Sequence, residues 1–195
     1  MRKTAFALAA LLIGLLPSAS NAQLPGGNVF VGYSFTNAYP PLGSRIGLNG
    51  WDASLEGKFL PFVGVVADFS GHYGSENAPQ TTVCPTPTGS LPGGCVGPTN
   101  AIVHEYNYLF GLRGSFSVSK FRPFAEALFG ATRVTETATS FSSTDTSFTE
   151  ALGAGLDYHL IPLLSWRIEA DDLHTGNFSI SHDNLRLSTG LVLRF

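Results

Sequence analysis

The stretch 185–195 constrains the fold more than any other part of this 195-residue chain. Every second side chain there is apolar apart from Thr189, whereas Arg186 and Arg194 lie on the opposite face. This alternation has the period of a β-strand and not of a helix. A strand that finishes on a bare aromatic carboxyl terminus is unusual in a soluble sheet. It suits a barrel strand whose apolar face contacts lipid.

Seven earlier segments have the same two-residue period. They are residues 28–35, 51–59, 62–73, 104–116, 121–133, 148–159 and 164–172. The connections alternate between short ones and long ones rich in Gly, Ser, Thr, Pro and Asn. The short ones are 60–61, 117–120 and 160–163, and the long ones are 36–50, 74–103, 134–147 and 175–184. This pattern predicts an all-β fold, an eight-stranded antiparallel up-and-down transmembrane β-barrel with both termini in the periplasm.

Charged side chains in the predicted strands fall almost entirely on the polar face, which we therefore assign to the barrel interior. Eight strands enclose a space that side chains can just fill. Acidic and basic residues are nearly balanced there, so we expect crossed ion pairs and a plugged interior, with a gated pore or proton path as the alternative. The predicted interior charge network comprises Asp52, Glu56, Lys58, Asp68, Glu105, Arg113, Arg122, Glu126, Asp157, Arg167, Glu169, Asp171, Arg186 and Arg194.

The opposite face carries few ionisable residues, and these lie near the long-connection ends of their strands. They are His104, Arg133, Glu150 and Asp172. A charge is tolerated better there than at the bilayer midplane. Aromatic residues lie towards both strand ends on the same face, as in the interfacial girdles of membrane barrels. A soluble lipocalin-like barrel, the main alternative fold, would turn its apolar face inward.

Residues 1–22 have the features of a cleaved signal peptide. Arg2 and Lys3 precede an apolar run that is too short to cross a bilayer, and a small-x-small site places cleavage between Ala22 and Gln23. An uncleaved anchor is the alternative. Residues 23–195 would then form one barrel domain with a net charge that falls from −3 to about −5, which argues against nucleic-acid binding.

The only two cysteines, Cys84 and Cys95, lie in one Pro- and Gly-rich connection. In an exported protein we expect a local disulfide between them. Metal binding is the alternative, but no histidine lies inside this connection. We therefore predict neither a metal nor a cofactor.

Catalytic motifs are weak. The run Ser181, His182 and Asp183 contains the residue types of a Ser-His-Asp catalytic triad, but three adjacent residues cannot all point at one another. None of the histidines is followed two positions later by serine, the pair expected of a lipid A deacylase on a lipid-facing strand. We therefore expect the chain not to be an enzyme.

The signal peptide, the eight alternating strands and the terminal Leu191-Val-Leu-Arg-Phe195 resemble the small outer-membrane β-barrel superfamily, with its OmpA-type membrane domains and OmpX-like porin-family barrels. The resemblance implies a Gram-negative outer membrane. It also implies that Leu191, Leu193 and Phe195 form the signal read by the barrel assembly machinery. The carboxy-terminal peptidoglycan-binding domain of full-length OmpA-type proteins is absent from the sequence, so cell-wall tethering is not expected.

Three functions are compatible with these features. The first, which we favour, is a structural or surface-interaction barrel whose external loops contact lipopolysaccharide or another surface. The others are a lipid-modifying enzyme and a narrow channel. Outer-membrane lipid, lipopolysaccharide and the assembly machinery are the expected partners of a monomer, together with a surface ligand of the loops.

Overall fold

A computed structural model describes residues 26–38, 45–78, 99–138, 141–176 and 182–195. Eight strands form one closed antiparallel barrel in which each strand pairs with its neighbours in sequence and β1 pairs with β8. The strands are β1 Gly27–Ala38, β2 Ile46–Lys58, β3 Val63–Ala78, β4 Thr99–Ser115, β5 Phe121–Ala138, β6 Phe141–Ile161, β7 Leu164–Thr175 and β8 His182–Arg194. The predicted eight-stranded up-and-down barrel is confirmed. No helix that could cross a bilayer occurs among the described residues.

The first and last strands close the barrel. Their register runs from Asn28 opposite Arg194 to Asn37 opposite Leu185. Beyond the end of β8, the amide of Phe195 donates to the Gly27 carbonyl at 3.1 Å, and the Gly27 amide donates to the Phe195 carbonyl at 2.9 Å. The terminal residue therefore completes the ladder, and the barrel has no open edge along this seam.

The two faces of the wall differ as the alternation predicts. Outward side chains are large and apolar, and several are highly exposed, among them Val31 at 60%, Leu152 at 69% and Phe195 at 63%. A soluble barrel would present the opposite polarity, because exposed apolar surface of this extent is unfavourable in water. The outward face is therefore the one suited to lipid.

The strands continue further at the long-connection end than the sequence predicted. The expected connection 134–147 was wrong: β5 runs to Ala138 and β6 starts at Phe141, in continuous pairing. The other three predicted long connections are also shortened by strand extensions. The Ser and Thr residues that suggested a loop are compatible with a strand, because threonine is β-branched and the neighbouring strand satisfies the backbone.

The interior also contains apolar residues that the count of charges overlooked. One cluster consists of Val66, Leu109, Leu128, Ala151 and Leu173. A second cluster, near the outer end of the lumen, consists of Ala38, Leu48, Val103 and Val134. The interior is thus a polar network combined with two apolar patches, and not a space filled by charges alone.

Candidate functional site

The lumen holds the predicted charge network. All fourteen residues lie on the inward face of their strands, where twelve are buried and Lys58 and Arg194 are partly exposed. Three arginines, Arg113, Arg167 and Arg186, are fully buried and organise most of the carboxylates around themselves.

Arg113 on β4 joins carboxylates from three other strands. Its Nε donates to Glu126 Oε2 at 2.5 Å, and its Nη2 lies 3.4 Å from Glu169 Oε2. Its Nη1 lies 3.7 Å from Glu56 Oε2. The guanidinium also stacks over the Phe124 ring at 4.5 Å, a favourable cation–π arrangement. One side chain therefore connects β2, β5 and β7 through the lumen.

Arg167 on β7 forms the second group. Its Nε donates to Asp157 Oδ1 at 2.7 Å and its Nη2 to Asp157 Oδ2 at 3.2 Å, the bidentate geometry that favours arginine. Arg167 lies on the Phe124 ring at 4.5 Å and faces the Phe30 ring at 5.1 Å. Arg194 Nη2 adds a contact of 3.3 Å to Asp157. This group lies towards the short-turn end of the lumen.

Arg186 on β8 forms the third group and reaches across the lumen. Its Nη1 donates to Asp68 Oδ1 at 2.8 Å and its Nε to Asp171 Oδ2 at 2.8 Å. Nη1 also donates to Ser70 Oγ at 3.1 Å. The closing strand is therefore fixed to β3 and β7 by buried charge-assisted hydrogen bonds, which are stronger than neutral ones.

Three members of the predicted network have no carboxylate–guanidinium or carboxylate–ammonium pair among the described residues. Asp52 Oδ2 accepts from Ser188 Oγ at 2.8 Å. Lys58 Nζ donates to a turn carbonyl and to a serine hydroxyl. Glu105 Oε1 accepts from Asn107 at 3.1 Å and lies 3.9 Å from His72 Nδ1.

Uncharged polar residues that the sequence reasoning missed extend the network towards the outer end. Asn107 donates to Ser70 at 3.1 Å and accepts from Thr132 at 2.5 Å. Thr149 Oγ1 then lies 2.7 Å from Thr132 Oγ1 and 3.2 Å from Thr175 Oγ1, within hydrogen-bond distance of both. The alternation along each strand already predicts that these residues face inward, so the sequence could have placed them in the lumen.

Four strands project beyond the others at the outer end of the barrel. β3 continues to Ala78 against Thr99 of β4, and β5 continues to Ala138 against Phe141 of β6. β7 stops at Thr175, opposite Thr149 of β6. Within the described residues, positions 141–148 therefore pair with β5 but with no strand on the other side. Along this side the Thr146 amide donates to Asp145 Oδ1 at 2.8 Å, and among the described residues the row is a sheet edge without a neighbouring strand.

The outer rim carries polar groups on its lipid-facing side. Tyr73 accepts from Trp51 Nε1 at 3.4 Å and donates to the Tyr106 hydroxyl at 3.2 Å, an aromatic cluster suited to a membrane interface. Elsewhere on the rim, between β7 and β8, His174 Nδ1 lies 2.6 Å from Asp183 Oδ1. This hydrogen bond raises the pKa of His174 above its ordinary 6.5.

Several predicted sites lie outside the described residues. These are Cys84 and Cys95, the cleavage site between Ala22 and Gln23, and Ser181. Asp183, the last member of the run that resembles a triad, contacts His174. The predicted assembly residues Leu191, Leu193 and Phe195 all lie on the outward face of the closing strand.

The fold, the polar lumen and the apolar outer wall together define a small β-barrel of an outer membrane. The family model of the outer membrane protein beta-barrel domain matches residues 6–195. The chain belongs to this family, and the outer membrane is its location. Comparison with curated protein sequences gives no match.

Solved structures share the fold at low sequence identity. Neisserial surface protein A is 13% identical with a TM-score of 0.63, over 87% of this chain and 97% of that chain. Ail, the attachment invasion locus protein of Yersinia pestis, is 13% identical with a TM-score of 0.58, over 88% of this chain and 99% of that chain. A second Ail structure, in complex with the heparin analogue sucrose octasulfate, has a TM-score of 0.57 at 14% identity, over 87% and 98% of the two chains. At these identities the similarity establishes the fold alone.

Proposed function

We propose that this protein is a surface-interaction barrel that presents its projecting sheet to a partner outside the cell. The observation that carries the proposal is the open edge at residues 141–148 of β6. This edge has no proline and no lysine, and Asp145 is its one charged residue. The Asp145 carboxylate accepts from the Thr146 amide, so a partner strand would have to displace that hydrogen bond. An extended segment of a partner protein could therefore add to the sheet through main-chain hydrogen bonds.

The lumen network supports this role by making the barrel a rigid platform. Arg113 and Arg186 link strands on different sides of the lumen through buried charge-assisted hydrogen bonds. The apolar cluster of Leu48, Val103 and Val134 lies above them near the outer end. We infer a plugged interior that anchors the sheet and does not conduct ions.

The plugged interior predicts the behaviour of the protein in planar bilayers. We expect no steady conductance, because side chains fill a lumen of this strand number. Recordings on the refolded protein measure this directly. Stable open events of uniform size would contradict the plugged interior and favour a channel.

The names of the similar proteins fit a surface role, since one is a surface protein and the other is the product of an attachment invasion locus. The heparin analogue in one Ail complex does not transfer readily to this chain. Acidic side chains outnumber basic ones around its described outer end. The acidic ones are Glu136, Asp145, Glu150, Asp172 and Asp183, and the basic ones are Arg45 and Arg133. We therefore propose a polypeptide partner and not a sulfated polysaccharide.

Shortening the projecting hairpin tests the proposal. Replacing 136–143 by Asn-Gly keeps the observed pair of Thr135 and Thr144 and closes it with a favoured two-residue turn. Bacteria that produce this variant should adhere to epithelial cell layers no better than bacteria that lack the protein, whereas the wild type should adhere more. A control variant replaces 177–181 by Gly and Ser at equal length and should retain adhesion.

Both variants must first be shown to fold, by their faster gel migration before boiling than after. If a folded, shortened variant adheres as well as the wild type, the projecting hairpin 136–143 with its part of the β6 edge is not the interaction site. If the wild type gives no adhesion above the vector control, the surface-interaction role itself is contradicted for this kind of cell.

A further inference from the structure

The lumen contains two groups of buried carboxylates that share Glu169. In the first group, one oxygen each from Asp52, Asp68 and Glu169 lies within 4.8 Å of the others. In the second group, Glu126, Glu169 and Asp171 meet the same limit. These residues come from four different strands, so the barrel closure brings them together. All five are essentially shielded from solvent.

Each of these carboxylates uses one oxygen in the network and leaves the other unpartnered. In the first group the bonded oxygens are Asp52 Oδ2, which accepts from Ser188, Asp68 Oδ1, which accepts from Arg186, and Glu169 Oε2, which accepts from Arg113. Among the described residues, the buried oxygens without a hydrogen-bond partner are Asp52 Oδ1, Asp68 Oδ2, Glu126 Oε1, Glu169 Oε1 and Asp171 Oδ1. Guanidinium nitrogens of Arg113, Arg167 and Arg186 are also without a hydrogen bond, and Arg186 Nη2 lies 4.0 Å from Glu169 Oε1. Buried acceptors in folded proteins are normally satisfied, so the oxygens that no guanidinium reaches can accept a further positive partner.

Asp52 is the member of these groups that lacks a cationic partner. The other four each lie within 4.0 Å of a guanidinium nitrogen of Arg113, Arg167 or Arg186. Among the described residues, Asp52 hydrogen-bonds only to the hydroxyl of Ser188, although it is fully buried. An ionised carboxylate in such a place is strongly unfavourable unless another positive charge is present.

The charge balance of the lumen indicates the charge of the absent partner. The predicted network has eight carboxylates and six lysine or arginine side chains, and Glu136 is a further buried inward carboxylate nearer the outer end. The lumen thus has an excess of negative charge, and one divalent cation would neutralise the difference within the network. The ligand set is all oxygen, which suits hard cations such as Ca²⁺ and Mg²⁺ and not the softer transition metals.

We propose that Asp52, Asp68 and Glu169 bind one calcium ion inside the barrel. Calcium–oxygen distances are roughly 2.3–2.6 Å, so oxygens about 5 Å apart can share one ion. Calcium accepts irregular, carboxylate-rich coordination, whereas Mg²⁺ requires a near-ideal octahedron and retains several waters. The ion would join β2, β3 and β7 and complete the network around Glu169. This site is independent of the proposed surface role.

Metal content after folding tests the site. The mature chain is refolded in detergent with EDTA or with excess CaCl₂, freed of unbound ions and analysed by elemental mass spectrometry. We expect about one calcium per wild-type chain and a higher unfolding temperature in calcium than in EDTA, since a ligand that binds only the folded state stabilises it.

Asp52→Asn and Glu105→Gln form a matched pair of variants. Both residues are buried lumen carboxylates without a guanidinium partner, but Glu105 belongs to neither group. We expect Asp52→Asn to lose the bound calcium and the calcium-dependent shift in unfolding temperature, and Glu105→Gln to keep both. Refolding in EDTA allows Asp52→Asn to be examined even if its yield is low.

Three results would overturn the proposal. One is a wild-type chain that retains no calcium and unfolds at the same temperature in calcium and in EDTA. A second is equal retention by Asp52→Asn, which would place the ion elsewhere, for example on the acidic outer rim. The third is a wild type refolded in calcium that shows an infrared band of a protonated carboxylic acid that Asp52→Asn loses, since a proton and not calcium would then neutralise Asp52.

Discussion

At the scale of single residues, the sequence determines the face on which a side chain lies but not its partner. Arg186 falls on the inward face because alternate residues of a strand point to opposite sides. Its hydrogen bond to Asp68 joins positions 118 residues apart. This contact depends on the tilt and stagger of the strands, which the alternation of residues does not specify. The sequence therefore indicates a charged lumen, and the closed structure is needed to identify the pairs within it.

Removing the Arg186 guanidinium should strongly destabilise the barrel. In Arg186→Met, Asp68 and Asp171 would keep their buried charges without their main partner. Breaking a buried pair in this way typically costs about 3–5 kcal/mol. Urea unfolding of the refolded protein, followed by tryptophan fluorescence, measures the change. Arg133→Met on the exposed rim is the control and should change the free energy of unfolding little.

The exposed pair of His174 and Asp183 predicts a titration and not a large stability change. Asp183 raises the pKa of His174, so any stabilisation is complete below the ordinary pKa of 6.5 and is lost as the pH rises through the raised value. NMR titration of the imidazole should show this raised pKa. Asp183→Asn should lower it, and Asp172→Asn should lower it less, because Asp172 acts only through space. A pKa that stays unchanged in Asp183→Asn would contradict the contact.

At the scale of strands, the short-turn ends were predicted more closely than the outer ends. The turn at Leu60 and Pro61 interrupts a clear alternation, so β2 and β3 end near the predicted positions. At the outer end, Thr135 and Thr144 pair in the ladder although both faces of the sheet are polar there. Alternation disappears where neither face contacts lipid or a core, and the sequence then offers no periodic signal of a strand.

The seam between β1 and β8 depends on two facing glycines. A Cβ at Gly190 would lie 2.3 Å from the Val31 carbonyl oxygen and 2.4 Å from the Gly32 Cα. Both are backbone atoms, so Gly190→Ala should separate the strands locally and destabilise the barrel by about 1–3 kcal/mol. Gly57→Ala is a matched control, because a Cβ there meets nothing within 4 Å. Equal urea midpoints for the two variants would show that the seam tolerates a side chain.

At the scale of the whole molecule, closure is the condition for a β-structure in lipid. An open edge in the hydrocarbon region would leave backbone groups without hydrogen bonds, at several kcal/mol each. The pairing of β1 with β8 removes that edge. Phe195 contributes to the closed barrel in two ways. Its main chain bonds to Gly27 in both directions, and its ring lies on the outward face at the end of the barrel.

Two changes at Phe195 separate these contributions. Phe195→Ala removes the ring but keeps both hydrogen bonds to Gly27, whereas deletion of Phe195 removes the ring and the bonds together. If the ring is the signal for the barrel assembly machinery, both variants should reach the outer membrane at strongly reduced levels in cells. Refolding into detergent should remain normal for Phe195→Ala and be only slightly impaired for the deletion, because the rest of the β1–β8 ladder is intact. Quantifying the protein in outer-membrane fractions and the folded band in detergent gives both readouts.

Normal outer-membrane levels of Phe195→Ala would rule out the ring as the signal, and equal failure in detergent would show that Phe195 acts through barrel stability instead.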